Sequence, residues 1–224
     1  MIPDDALSTH DAILDRGMQL FNEIGIESVS VNRVAESLGI SPGNLTYHFK
    51  RKEHLVAALL DRLEAQMSEG LSDFPYTSGA WSFVNAYAGL FGVTWRHRGL
   101  FNSAPYLIQS TLVPAMRIRE LHAHITGMMV EQTERLIEQG FFERIKQQQG
   151  IRMLIDCIWW QWLGCLRMDQ LREPGKPNAV GDIIKDGINR CIFLARPYMR
   201  KDYPAKLHQA VQELDLEGRS ALIR

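Results

Sequence analysis

Lys50-Arg51-Lys52 follows a run of small, amide, hydroxyl and aromatic side chains, Gly43-Asn44-Leu45-Thr46-Tyr47-His48. Those residue types suit duplex DNA. Asparagine pairs bidentately with adenine, threonine offers a methyl to thymine or a hydroxyl to phosphate, and glycine lets the backbone approach a phosphate closely. The cations stand at the expected start of the next helix, where side chains and free N–H groups can both grip the sugar-phosphate backbone. The candidate contacts are Ser30, Asn32, Arg33, Ser41, Gly43, Asn44, Thr46, Tyr47, His48, Lys50 and Lys52. Bulk charge gives no support, because the first 60 residues hold five basic and eight acidic side chains. Most of those acids precede the segment, on a helix expected to pack behind it, so the contact face can stay positive.

Positioning these groups takes two very short helices and a tight turn. Ser30 can cap a helix whose inward residues are Val31, Val34, Ala35 and Leu38, and Gly39 supplies the turn with Ile40 beneath it. Ser41 caps the next helix with Pro42 in its first turn, where a missing N–H costs nothing. Leu45 and Phe49, four apart, point inward together, so Gly43, Asn44, Thr46 and Tyr47 face outward. The spacing is that of a helix-turn-helix.

The rest of the chain also reads helical. Apolar residues recur at steps of three and four, and no period-two alternation is sustained. A first helix runs from Asp11 to Gly25, with Ile13, Gly17, Leu20, Phe21 and Ile24 as its stripe and Gly25 as its left-handed end. Further stripes run from Trp81 to Trp95 and from Ile118 to Leu136, the second closing at Gly140. Ile151 to Leu166 is apolar over most of its circumference and Val180 to Ala195 carries a wide stripe of Val180, Ile183, Ile184, Ile188, Cys191 and Leu194, which predicts helices buried on more than one side. Two prolines and a glycine within 172–178 require a loop between them. After Pro197, Leu207, Val211 and Leu214 form a modest stripe, expected as a short surface helix or arm. The three cysteines, Cys157, Cys165 and Cys191, read as buried packing residues.

Neither a phosphate-cradling loop, a nucleophile elbow nor a His-Glu-x-x-His pattern occurs. His122-Ala123-His124 sets two imidazoles in diverging directions on a helix, unsuited to sharing a metal. The expectation is therefore no enzyme, no cofactor and no metal. No apolar run reaches the roughly 20 residues of a spanning helix, and the acidic first residues lack the pattern of an export signal. No membrane partner and a cytoplasmic location are expected.

The ordered set Phe21, Gly25, Ser30, Val34-Ala35, Leu38-Gly39-Ile40-Ser41, Gly43, Leu45, His48-Phe49, Lys52-Glu53 and Leu55 resembles the DNA-binding domain of the tetracycline-repressor (TetR) family of bacterial transcription regulators. It covers about the first quarter of the chain. One position departs from the family, which usually places a phosphate-holding tyrosine where this chain has Thr46. Tyr47, one place later, offers its phenol from a different angle.

The resemblance implies an all-α chain with a helix-turn-helix domain over 1–55, a helical ligand-binding and dimerisation domain over 56–199, and a short C-terminal helix or arm over 200–224. Candidate pocket residues for a small apolar or aromatic effector are Tyr87, Phe91, Trp95, Asn102, Tyr106, His122 and Met129, although aromatic and Met stripes at helical spacing are also what a core needs. Candidate dimer contacts are Ile155, Trp159, Trp162, Leu166, Ile184, Gly187, Ile188, Cys191 and Ala195, since an all-round apolar helix calls for more cover than one subunit supplies. The alternative for these is a monomer core. The implied function is a homodimeric repressor released from its operator by ligand. The competing class is a helical small-molecule-binding or interaction protein without DNA activity.

Overall fold

The structure is a computed structural model and describes residues 8–72, 79–110, 113, 115–168 and 180–216. Among them are eleven α-helices and no strand: α1 Thr9–Ile24, α2 Val31–Leu38, α3 Pro42–His48, α4 Lys52–Ser72, α5 Ala80–Arg96, α6 Arg98–Asn102, α7 Ala104–Gln109, α8 Ala115–Glu138, α9 Gly150–Met168, α10 Val180–Ala195 and α11 Tyr203–Glu213. The loop expected over 172–178 lies outside the described residues.

The chain forms two compact units, one of residues up to Ala65 with Arg96–Arg119, the other of Gln66–Trp95 with Glu120 onward. This division differs from a boundary at residue 55, because most of α4 and the short helices α6 and α7 pack with the first three helices.

In the first unit, α1 buries Ile13, Leu14, Gly17, Met18, Leu20 and Phe21 at steps of one, three and four. Ser8 caps it, accepting from the Asp11 N–H. The same hydroxyl holds the Asp11 carboxyl below the ordinary carboxylate range, with Arg62 adding to the effect. Gly25 ends α1 at φ 79°, a left-handed conformation, and its N–H returns to the Phe21 carbonyl at 3.1 Å. α4 closes the unit from behind with Leu55, Val56, Leu59, Leu60 and Leu63, all buried. Its Arg62 pairs with Asp15 and, at 3.7 Å, with Asp11. Two of the acids of α1 are thus answered by α4.

In the second unit, α5 is buried around nearly its whole circumference. Phe91 stacks on Trp162 of α9 with ring centroids 3.9 Å apart and planes 11° apart. The Trp162 indole N–H donates to the Thr94 hydroxyl at 2.6 Å, and that hydroxyl donates to the Phe91 carbonyl. The polar atoms of a fully buried aromatic contact are satisfied in this way. α11 is not an arm. Tyr203, Leu207, Ala210 and Val211 are buried, as are Leu214 and Leu216 just after it, so α11 completes this unit's core. Of the cysteines only Cys191 is buried; Cys165 is half-buried and Cys157 exposed.

Gly187 of α10 sits against Trp162. A Cβ there would lie 2.6 and 2.7 Å from two indole carbons and 3.2 Å from Phe91. Gly187→Ala is expected to destabilise the fold by about 1–3 kcal/mol. Gly127→Ala, in mid-α8 with no neighbour within 4 Å of its Cβ, should stabilise by about 0.5–1 kcal/mol. Thermal unfolding of the two variants beside the parent chain checks the pair.

Candidate nucleic-acid interface

The helix-turn-helix forms as its caps dictate. The Ser30 hydroxyl accepts from the Arg33 N–H at 3.2 Å, and the Ser41 hydroxyl accepts from the Asn44 N–H at 3.2 Å. Each such cap contributes about 1 kcal/mol. Gly39 adopts φ 67°, and its N–H returns to the end of α2. No Cβ neighbour crowds it, so its left-handed backbone is what calls for glycine. Ile40 also donates to the Ala35 carbonyl, locking the turn.

α3 is anchored by Leu45 and, at its C-cap, Phe49, both buried. Burial of each is worth about 1.5–3 kcal/mol. Its other face is open. Gly43, Asn44, Thr46 and Tyr47 are exposed, Tyr47 to 85%. Asn44 therefore carries its amide free for a base edge. Thr46 donates its hydroxyl proton to the Pro42 carbonyl at 2.6 Å, which leaves its methyl and its lone pairs to face outward. Asn32, Arg33, Lys50 and Arg51 are exposed around it.

An unforeseen residue joins this surface. His10, in the first turn of α1, lies over Phe49 with ring centroids 4.9 Å apart and meets His48 edge-on at 6.1 Å. His48 in turn meets Tyr47 edge-on at 5.3 Å. A row of rings therefore runs from His10 to Tyr47, the residue that stands one place beyond the family's usual tyrosine. Nothing in the local sequence signals it, since His10 lies 38 positions from His48.

Lys52 is placed differently from the sequence reading. Its Nζ donates to the Ile26 carbonyl and lies 5.9 Å from the centre of the Tyr106 ring. Partial burial pushes its pKa down, while Glu27 and Glu53 pull the other way. Lys52 braces the α1–α2 turn, and Lys50 and Arg51 are the cations left at the surface.

The remaining candidates divide. Tyr87, Phe91, Trp95 and Met129 are buried in the second unit and His122 is half-buried there, whereas Asn102 and Tyr106 are half-buried in the first. Tyr87 stacks on Phe83 at 4.5 Å and meets Phe91 edge-on, and burial drives its phenol strongly upward. These rings fill one another's space. An open groove of about 760 Å³ lies elsewhere in that unit, bordered by Ile137, Phe142, Arg144 and Arg200, and includes none of the seven.

The nine residues expected at a dimer contact are all buried inside their own subunit. The correction follows from geometry: Leu154, Ile155, Ile158, Trp159, Trp162 and Leu166 form the inward side of α9, and Gly187 receives Trp162 of the same chain. The open side of α9 carries Met153, Cys157, Trp160, Gly164 and Met168, with Trp160 exposed to 60%. On α10 the open apolar residue is Phe193, exposed to 74%. Sequence reasoning missed these because the inward and outward sides of such helices are similarly apolar.

Two family models match the chain: bacterial regulatory proteins of the tetR family over residues 13–59, and bacterial transcriptional repressor over 62–207. An HTH-type transcriptional regulator of Staphylococcus aureus (strain bovine RF122 / ET3-1) is 40% identical over 58 residues, 26% of this chain and 31% of that protein. The match thus spans about a third of the curated relative. A TetR-family transcriptional regulator from Marinobacter aquaeolei VT8 superimposes with a TM-score of 0.78 at 20% identity, covering 92% of this chain and 98% of that one. The ketosteroid transcriptional regulator KstR2 of Mycobacterium tuberculosis gives 0.63 at 18% identity, covering 90% and 100%. With both models matched and the caps, turn and open recognition helix in place, the chain belongs to the TetR family of bacterial transcriptional regulators, and is not an enzyme.

Proposed function

We propose that the chain is a homodimeric repressor that reads an operator through α3 and is released by a small apolar or aromatic ligand. The observation that carries the DNA reading is the sidedness of α3: Leu45 buried, and Asn44, Thr46 and Tyr47 presented together. A seven-residue helix reads only a few base pairs, so two copies set about 34 Å apart on consecutive major grooves supply the specificity that one lacks. The surface supporting that pairing is the open side of α9 with Phe193 of α10, where Met153, Trp160, Met168 and Phe193 leave large apolar groups in water.

The ligand class rests on the composition of the second unit, whose α5, α8 and α9 carry many aromatic and Met side chains, and on the likeness to a ketosteroid regulator. Release is read as a population shift, in which ligand favours a spacing of the two recognition helices that no longer matches the grooves. Spin labels on the two α3 helices are expected to change separation when effector lowers operator affinity. An unchanged separation would sink this mechanism.

DNA binding is tested by anisotropy against the duplex upstream of the chain's own gene, across a salt series with an unrelated competitor. Lys50→Ala should lower the log–log salt slope by about 1 and weaken binding to every sequence, whereas Asn44→Ala should relax preference at particular base pairs. Lys52→Met should leave the salt slope as it is and lower the unfolding temperature instead.

Pairing is tested by sedimentation. Trp160→Asp combined with Phe193→Asp is expected to sediment as the 25.6 kDa single chain, with the parent chain at twice that mass. A dimeric double variant would refute this face.

A further inference from the structure

The corner between α5 and α6 is fastened to the end of α1 by one side chain. The Asn22 amide N–H donates to the Arg96 carbonyl at 2.7 Å, and its carbonyl oxygen accepts from the Gly99 N–H at 2.7 Å. These partners lie 74 and 77 residues away. Both are helix-end groups without a partner inside their own helix: a last-turn carbonyl of α5 and a first-turn N–H of α6. Reversing the amide would set donor against donor and acceptor against acceptor, so the side chain has one satisfactory orientation.

Contact at this corner extends to the backbone itself. A Cβ on Gly99 would lie 2.6 Å from both the carbonyl carbon and the oxygen of Phe21. Beyond the clamp, the Ser103 hydroxyl donates to Glu27 at 3.2 Å and faces the Ile26 N–H at 3.5 Å, while Lys52 joins Ile26 to Tyr106. Residues 96–106 thus hold the last turn of α1 and the turn that leads into α2. The sequence placed them in the other domain.

We propose that Asn22 is a positioning residue for operator recognition: its amide clamp on the α5–α6 corner sets the orientation of α1, and through it of α2 and α3. Recognition contacts need placement to within about 0.5 Å and 10–20°, so a loosened corner costs sequence-specific binding first. Phosphate contacts from Lys50 and Arg51, made at the ends of long, flexible side chains, follow the same displacement by changing rotamer. The clamp is therefore expected to govern the ratio of specific to non-specific affinity.

The test uses the full chain. The parent protein selects a duplex from a random-sequence pool, and affinities for that duplex and a scrambled one are measured at one salt concentration. Asn22→Ala should weaken binding to the selected duplex by about tenfold and leave the scrambled duplex within about twofold. Gly99→Ala, which pushes the corner off α1 while keeping Asn22, should act in the same direction. Hydrogen exchange on the same samples guards against general unfolding: the Gly99 amide should open about tenfold faster, with α9 amides unchanged. Equal loss on both duplexes, no loss on either, or faster exchange spread evenly through the molecule overturns the proposal. If the parent chain enriches no sequence, DNA reading itself fails and the proposal with it, a result distinct from an Asn22→Ala variant that binds like the parent.

Discussion

A helix of seven residues has no stability of its own in water, so α3 exists only because Leu45 and Phe49 are held in the first unit's core. That burial sets the direction of everything opposite. Asn44, Thr46 and Tyr47 face outward because Leu45 faces inward, and the two serine caps close the helix ends without using any of the outward groups. His10 extends the same economy by covering Phe49 and touching His48, so that the outer edge of α3 is supported by rings rather than by solvent.

The second unit is organised around Trp162. It stacks on Phe91, donates to Thr94 and occupies the space that a side chain at position 187 would need. With so much of its interior spent on one another, α5 and α9 keep Tyr87, Phe91, Trp159 and Trp162 inside, while Met153, Trp160 and Met168 leave one side of α9 apolar and exposed, as Trp81 and Phe193 are on α5 and α10. A face of that kind is costly in water unless it is covered, which is why its content bears on assembly.

Local signals were legible in the sequence, and long-range ones were not. Ser30, Ser41, Pro42, Gly25 and Gly39 act within three or four residues of themselves, so cap, turn and helix could be read directly. The sidedness of α3 followed from two apolar residues four apart. The sidedness of α9 did not follow, because Met153, Cys157, Trp160 and Met168 look as buried as Leu154, Ile155, Ile158 and Trp159 when only hydrophobicity is weighed. Lys52 was read by its charge, yet its partner is a backbone carbonyl, invisible to any motif. Asn22 carries no pattern at all; only folding brings residues 96 and 99 to it. The division between the units was missed for the same reason, since residues 96–119 return to a unit whose other members end at Ala65.

This return has a consequence for synthesis. The three helices of the DNA-binding domain are complete in sequence before residue 65 is made, but the Asn22 amide and the Ile26 N–H find their partners only once residues 96–103 have left the ribosome, and Lys52 meets the Tyr106 ring later still. At about 5–20 residues per second that interval lasts a few seconds. During it the nascent chain has the letters of the recognition surface without its fixed frame.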